Sequence, residues 1–282
     1  MHFSLPRRWL AALVAAVVVL LSVGAYLSLP RAYLLMATTT STQDTGLLSY
    51  LLPEFSRDSG VEVRYTAVGT GQALDAGRRG DVDVVMVHSP PLEQAFMDSG
   101  KGLCRNQLMY NRFVLVGPRS DPAGVSGATS IVDALGQIWN ASARFASRAD
   151  NSGTHNKELV LWASAGLTVS TFGAWYEKTG QGMGETLAIA NQRDAYTLSD
   201  DGTWYSLEAR LPFLVLAYGG DEPVLRNVYS VIPVNPANHT GILVDGAVAF
   251  ARWLVAPRAQ ALIAAFSVNG RIIFTPDPIG AC

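Results

Sequence analysis

The sequence predicts a two-lobed α/β protein, and three observations carry that prediction. Apolar strand-like runs alternate with helical periodicity along most of the chain, three of these runs end in glycine- and hydroxyl-rich helix starts, and proline-rich turns follow two of the strand-like stretches. At 282 residues the chain has length for more than one core. Hydrophobic residues make up 49%, charged residues 16%, and the net charge is −2. This composition excludes a disordered polymer and a basic nucleic-acid binder.

Arg7 and Arg8 precede an uncharged apolar stretch over residues 9–29, and the first acidic residue is Asp44. A basic start, an apolar run over residues 10–21 and small residues at Val23-Gly24-Ala25 fit a secretory signal peptide cleaved near Ala25. The stretch also approaches the roughly 20 residues that span a bilayer. Residues 1–31 therefore read as a signal peptide or an N-terminal anchor, and either one places the rest of the chain outside the cytoplasm. No cysteine follows the apolar run, so a lipidated N-terminus is not expected. Residues 1–31 hold three arginines and no acid, which leaves the exported body acidic. An anionic ligand would then have to be held by local donors rather than by a general positive field.

The body begins with a strand at 33–38, a helix at 46–58, a strand at 61–67, a helix at 71–78 and a strand at 82–87. That order is βαβαβ, and strands apolar on both faces imply a parallel sheet covered by helices. The alternation resumes with a strand at 113–117, a helix at 131–141, a short strand at 144–147, a helix at 154–165 and a strand at 228–234, and ends with helices at 245–254 and 258–266. Pro118, Asp121-Pro122 and Gly124 follow one strand, and Pro233 and Asn235-Pro236 follow another, so the chain is expected to cross between lobes twice. The expected division is 32–112 plus 234–282 for the first lobe and 113–233 for the second. The ligand cleft would lie between them, beyond the carboxyl ends of the strands.

Chemistry gathers at three helix starts. The first strand runs into Thr38-Thr39-Thr40-Ser41-Thr42, directly before an apolar helical repeat. A cap needs one such residue, whereas five consecutive hydroxyls beside free N–H groups and a positive dipole end suit an anion. The second strand ends in Gly69-Thr70-Gly71, where glycine lets a ligand approach the backbone. The third start is Ser147-Arg148-Ala149-Asp150-Asn151-Ser152-Gly153-Thr154-His155. Arginine offers planar paired donors for an oxyanion, and the competing reading is an Arg148–Asp150 surface ion pair. The candidate ligand-binding residues are Thr40, Ser41, Thr70, Arg148, Ser152, Gly153 and Thr154.

These stretches, with 179–184 and Ala195-Tyr196-Thr197-Leu198, resemble the TupA-type tungstate-binding family of ABC-type importers, within the type II periplasmic-binding-protein-like superfamily of two-lobed oxyanion binders. The resemblance covers nearly all of the exported body. It implies a substrate-binding protein, not an enzyme, with tungstate as ligand, no cofactor, no resident metal, a membrane permease as partner, and a monomeric state. It also implies that Ser41 and Thr70 come from one lobe and Arg148, Ser152 and Thr154 from the other. Ala149 and Asn151 stand where that family usually carries Gly and Asp. Phosphate-binding relatives carry an acid after the third strand, where this chain reads His88-Ser89-Pro90-Pro91, so a fully ionised oxyanion is favoured over hydrogen phosphate. Molybdate, sulfate and phosphate remain the alternative ligands.

The competing class is an exported hydrolase. His88, His155 and His239 are scattered, and neither H-E-x-x-H nor G-x-S-x-G occurs. Asp200-Asp201 before Gly202 reads as a solvated turn. Trp175, Tyr176, Trp204 and Tyr205 read as core residues, with Tyr196 a candidate for the cleft. Cys104 and Cys282, with no C-x-x-C spacing, could pair in an oxidising compartment.

Overall fold

The computed structural model describes residues 33–282, and Leu34–Cys282 form one compact unit. The signal-peptide or anchor reading of residues 1–31 lies outside the described residues. Strand β1 (Tyr33–Thr39) leads through the short helix α1 (Thr40–Asp44) into α2 (Leu47–Ser59), followed by β2 (Glu62–Val68), α3 (Thr70–Arg79) and β3 (Val84–Val87). The expected βαβαβ unit is therefore present, with β1 and β3 paired in parallel. Every residue of β3 is buried, as an all-apolar strand inside a sheet requires.

The strands that cross between the lobes pair antiparallel where the sequence suggested parallel sheets, while residues Phe145–Ser147 and Tyr176–Lys178 do pair in parallel. Helix α4 (Pro90–Asp98) leads to β4 (Asn106–Pro118), whose first half pairs with β9 (Arg226–Pro233) and β12 (Thr275–Ile279), and whose second half pairs with β7 (Thr197–Asp200) and β8 (Leu214–Tyr218). One eight-stranded mixed sheet results, with β12-β4-β9-β3-β1-β2 as its main path. A strand that leaves one lobe and a strand that returns must run in opposite directions, so the crossing itself imposes the antiparallel β4–β9 pair. The expected strand at 113–117 is the outer part of β4.

Between β4 and β7 the chain forms α5 (Ile131–Ala141), β5 (Phe145–Ser147), α6 (Gly153–Ser164), β6 (Tyr176–Lys178) and α7 (Met183–Arg193), and α8 (Asp201–Leu207) follows β7. After β9 come α9 (Val244–Val255), α10 (Pro257–Ala265) and the β10–β11 hairpin (Ser267–Val268 and Arg271–Ile272).

The apolar clusters divide into two lobes. Leu34, Leu51, Phe55, Met109, Tyr229, Val231, Phe250 and Phe274 share one core, and Val85, Phe96 and Ile232 a neighbouring one. Phe113, Leu115, Ile138, Phe145, Trp162, Tyr196 and Leu225 share another, with Val116, Met183 and Leu187 beside it. Packing thus changes between Met109 and Phe113 on the way out. On the way back it changes between Leu225 and Tyr229, earlier than the turn at Pro233 that the sequence suggested.

Three other expectations meet the structure here. A disulfide joins Cys104 to Cys282, and Asn106 Oδ1 accepts the Ala281 and Cys282 N–H groups at 2.6 and 2.9 Å. Asp200 is not in a solvated turn. It is fully buried as the cap of α8, accepting from Thr203 N (2.9 Å) and Thr203 Oγ1 (2.7 Å), because a helix start inside a core needs an internal acceptor. Tyr196 is not a cleft residue: its ring fills the space beside Gly117 and its hydroxyl donates to Asp121 at 2.6 Å.

Candidate functional site

The run of five hydroxyls is sorted by the strand-to-helix geometry. Thr38 Oγ1 donates to Met86 O at 2.9 Å, tying β1 to β3, while Thr39 Oγ1 caps α1 by accepting Thr42 N and pairs with Thr42 Oγ1 at 2.7 Å. Thr40 and Ser41 are the two that turn toward the second lobe. There Arg148 Nη2 reaches Thr40 Oγ1 and Arg148 Nη1 reaches Ser41 Oγ, each at 3.4 Å. Those contacts are longer than the usual 2.9–3.0 Å or so of an N–H···O bond and leave both groups with capacity to bind something better placed.

Arg148 follows β5 and is 2% exposed. Its Nη2 also pairs with Asp150 at 2.6 Å, so the ion pair considered from the sequence forms, but in a buried setting rather than on the surface. Its Nε is buried with no partner, and so is the Oγ1 of Thr154 at the start of α6. Ser152 caps α6 by accepting His155 N at 3.2 Å, which leaves its O–H free to donate. Gly153 N donates across the cleft to Thr70 Oγ1 at 3.1 Å, which joins α3 and α6 start to start. The seven predicted residues are thus brought together, from both lobes.

Glycine is required at one of these contacts. A β-carbon on Gly153 would stand 2.7 Å from the backbone His88 O and push the two lobes apart, whereas one on Gly71 would meet the movable Asn151 Nδ2 at 2.8 Å.

The surrounding carboxylates are occupied. Asp150 also accepts Ser152 N at 3.1 Å, and Asp200 accepts Asn111 Nδ2 at 3.2 Å besides capping α8. Burial raises the Asp200 carboxyl, while the donors around it oppose that rise. Asp44 is pushed up to about 6, first by burial and then by the charges of Asp200 and Glu185. His88 is held down to about 4 by burial, so its imidazole is neutral at neutral pH. Its Nδ1 bonds Asn227 Oδ1 at 2.8 Å, Asn227 Nδ2 donates to Asn111 Oδ1 at 2.8 Å, and Asn111 continues to Asp200. This buried polar chain links β4 and β9 where they cross between the lobes.

The site therefore offers one guanidinium, several hydroxyls and the N–H groups of helix starts, with Asp44 and Asp150 as the carboxylates nearest the guanidinium. Among the described residues no group of three or more His, Cys, Asp or Glu is placed to hold a metal ion. A cavity of about 650 Å³ lies elsewhere, between β2 and α3, and none of the seven residues lines it. The sequence reading counted 179–184 among the stretches that carry the resemblance but named no site residue there, and it named none at Asp44, two residues past the run of hydroxyls.

Residues 25–258 match the family model described as a PBP superfamily domain. The chain is 44% identical over 248 residues to a tungstate-binding protein TupA from Peptoclostridium acidaminophilum, covering 86% of this chain and 85% of that protein. Among solved structures it is similar to the tungstate-binding protein TupA from Desulfovibrio alaskensis G20, with 46% identity, a TM-score of 0.75, and coverage of 87% of this chain and 99% of that one. It is also similar to the tungstate ABC transporter structure from Geobacter sulfurreducens, with 44% identity, a TM-score of 0.77, and coverage of 83% and 98%.

Proposed function

The chain belongs to the PBP superfamily and, within it, to the TupA family of tungstate-binding proteins, and from that premise we propose that it captures tungstate outside the cytoplasm and delivers it to the permease of an ABC importer. It acts as a monomer and catalyses nothing. Thr40, Ser41 and Thr70 from the first lobe and Arg148, Ser152, Gly153 and Thr154 from the second hold the anion. The observation that carries this reading is the buried Arg148 guanidinium, whose Nε lacks a partner, as does the buried hydroxyl of Thr154 at the start of α6. Leaving such groups desolvated is costly, and an acceptor-only ligand would satisfy both.

A fully ionised tetrahedral oxyanion offers acceptors alone and suits a pocket of donors. Hydrogen phosphate carries a proton that asks for an acceptor, and the loop after β3, His88-Ser89-Pro90-Pro91, carries no carboxylate to take it. Molybdate, nearly equal in size and charge, is the expected competitor. The separate cores favour a division into two lobes, with the outward bound near 112 as expected and the return crossing in β9 near residues 226–228 instead of at 233. At a ceiling of about 1.5 kcal/mol per heavy atom, a five-atom ligand reaches about −7.5 kcal/mol, roughly micromolar. Tighter capture calls for donors already in place and water excluded by closure of the lobes.

Equilibrium dialysis of the exported body against tungstate, with molybdate, sulfate and phosphate as competitors, tests this reading. One tungstate per chain, displaced by molybdate and not by excess sulfate or phosphate, is expected. Retention of none of the four would overturn it.

A further inference from the structure

The β10–β11 hairpin is rooted in one lobe and touches the other. Ser267 pairs with Ile272 and Val268 with Arg271, which leaves Asn269-Gly270 as a two-residue turn with φ +50° and +78°. Asn-Gly is the pair such a turn favours, because both of its residues need positive φ. The base of the hairpin belongs to the first lobe: Phe266 and Ile273 lie in that core, and Val268 packs against it.

The tip meets α8 of the second lobe, where Trp204 shares a core with Val116 and Met183. Asn269 Nδ2 donates to Tyr205 O at 2.6 Å, the Arg271 guanidinium lies 4.2 Å from the centre of the Tyr205 ring, and Arg271 Nη1 stands 3.6 Å from Glu208 Oε2, just past α8. A cation over an aromatic face and a hydrogen bond both attract. Asn269 and Arg271 are themselves exposed, and Arg271, Leu214 and Leu216 line a cavity of about 450 Å³. Water replaces exposed polar contacts at small cost, so these ties can be made and broken, unlike the packing at the hairpin's base.

The two ends of α8 stand differently toward the crossing. Its cap, Asp200, accepts from Asn111 in the buried polar chain where β4 and β9 pass between the lobes. Tyr205 and Glu208 lie about 8 and 12 Å along at 1.5 Å per residue. A turn of the lobes about the crossing therefore leaves Asp200 nearly in place and carries Tyr205 and Glu208 past the hairpin tip. Helix α1, which begins with Thr40 and Ser41, packs against α8 as well, so the anion-binding turn and the hairpin hold the same helix from the first lobe.

We propose that the hairpin is a strap on the closed cleft: Asn269 and Arg271, positioning residues of the first lobe, fasten to Tyr205 and Glu208 of the second and slow the opening that releases the anion. The proposal rests on the oxyanion reading of the site.

Two variants test it. Arg271→Ala removes the cation, and Asn269→Gly removes the side-chain bond while keeping a residue that accepts positive φ. Tungstate dissociation, followed by stopped-flow fluorescence after displacement with excess molybdate, is expected to be at least threefold faster in Arg271→Ala and at least twofold faster in Asn269→Gly. Association rates should stay within twofold of the parent. The anion-free Arg271→Ala protein is expected to melt with the parent, while its tungstate-saturated form melts lower. Parental dissociation rates in both variants would overturn the proposal. So would an equal fall in melting temperature with and without tungstate, which would make the contacts a fixed part of the fold. A parent protein that binds no tungstate would overturn the reading of the site itself and the strap with it, an outcome distinct from parental rates in variants that bind.

Discussion

Arg148 is the residue on which the two lobes converge, since its guanidinium touches Thr40, Ser41 and Asp150 and still has Nε to offer. Arg148→Ala is expected to weaken tungstate binding at least tenfold, about 1.4 kcal/mol, read by calorimetry. Ser41→Ala and Thr70→Ala each delete one buried hydroxyl and should cost about 1 kcal/mol in the same measurement. Ala149, beside the arginine, sits at φ +49°, in the left-handed region where a β-carbon is unfavourable. Ala149→Gly should therefore raise the unfolding free energy by about 1 kcal/mol in urea titration without loss of affinity. At this scale the sequence identified the right group of hydroxyls but could not rank them, because Thr38 to Thr42 share one chemistry. Only the paths of β1 and α1 decide which two face the other lobe. Asp200 was misread for the same reason: an acid before glycine looks like a turn until the core closes over it.

The elements differ in how far neighbouring residues alone determine them. β1 through β3 with α2 and α3 were legible because each declares itself within about ten residues by periodicity and a glycine stop. Helix α4 was not, because Pro90-Pro91 reads as loop although proline is tolerated in a first turn. Helix α7 has glycine at its cap and no side-chain bond there, so no local capping residue announces its start. Helix α6 carries its own: Ser152→Ala should lower stability by about 1 kcal/mol through loss of the cap and weaken binding as well. One turn into α6, Glu158 is fully buried between Ser147 Oγ at 2.8 Å and Tyr176 Oη at 2.5 Å, and burial raises its carboxyl to about 7. A carboxyl raised from 4.5 in the unfolded chain favours folding most when protonated. Its contribution is full below pH 4.5 and is lost as pH rises through about 7. Glu158→Gln is expected to flatten that part of the stability-against-pH curve, measured by urea unfolding between pH 4.5 and 7.5.

Across the whole molecule, the antiparallel pairing of β4 with β9 does what no local pattern announced. It passes one sheet through two cores and places the buried His88–Asn227–Asn111–Asp200 chain at the crossing. The pairing of Cys104 with Cys282 is likewise a long-range fact, joining β4's lead-in to the end of the chain over a separation of 178 residues. Cys282→Ser should lower stability by about 2–5 kcal/mol and leave anion affinity unchanged, because the bond lies away from the cleft. The central claim is that donors from both lobes enclose one oxyanion around Arg148. Calorimetric titration of residues 32–282 and of their Arg148→Ala variant with tungstate, side by side in phosphate-free buffer, tests it most directly. The account predicts one site per chain with micromolar or tighter affinity in the parent and a loss of at least tenfold in the variant. Equal affinity in the two proteins, or no heat in the parent, would contradict it.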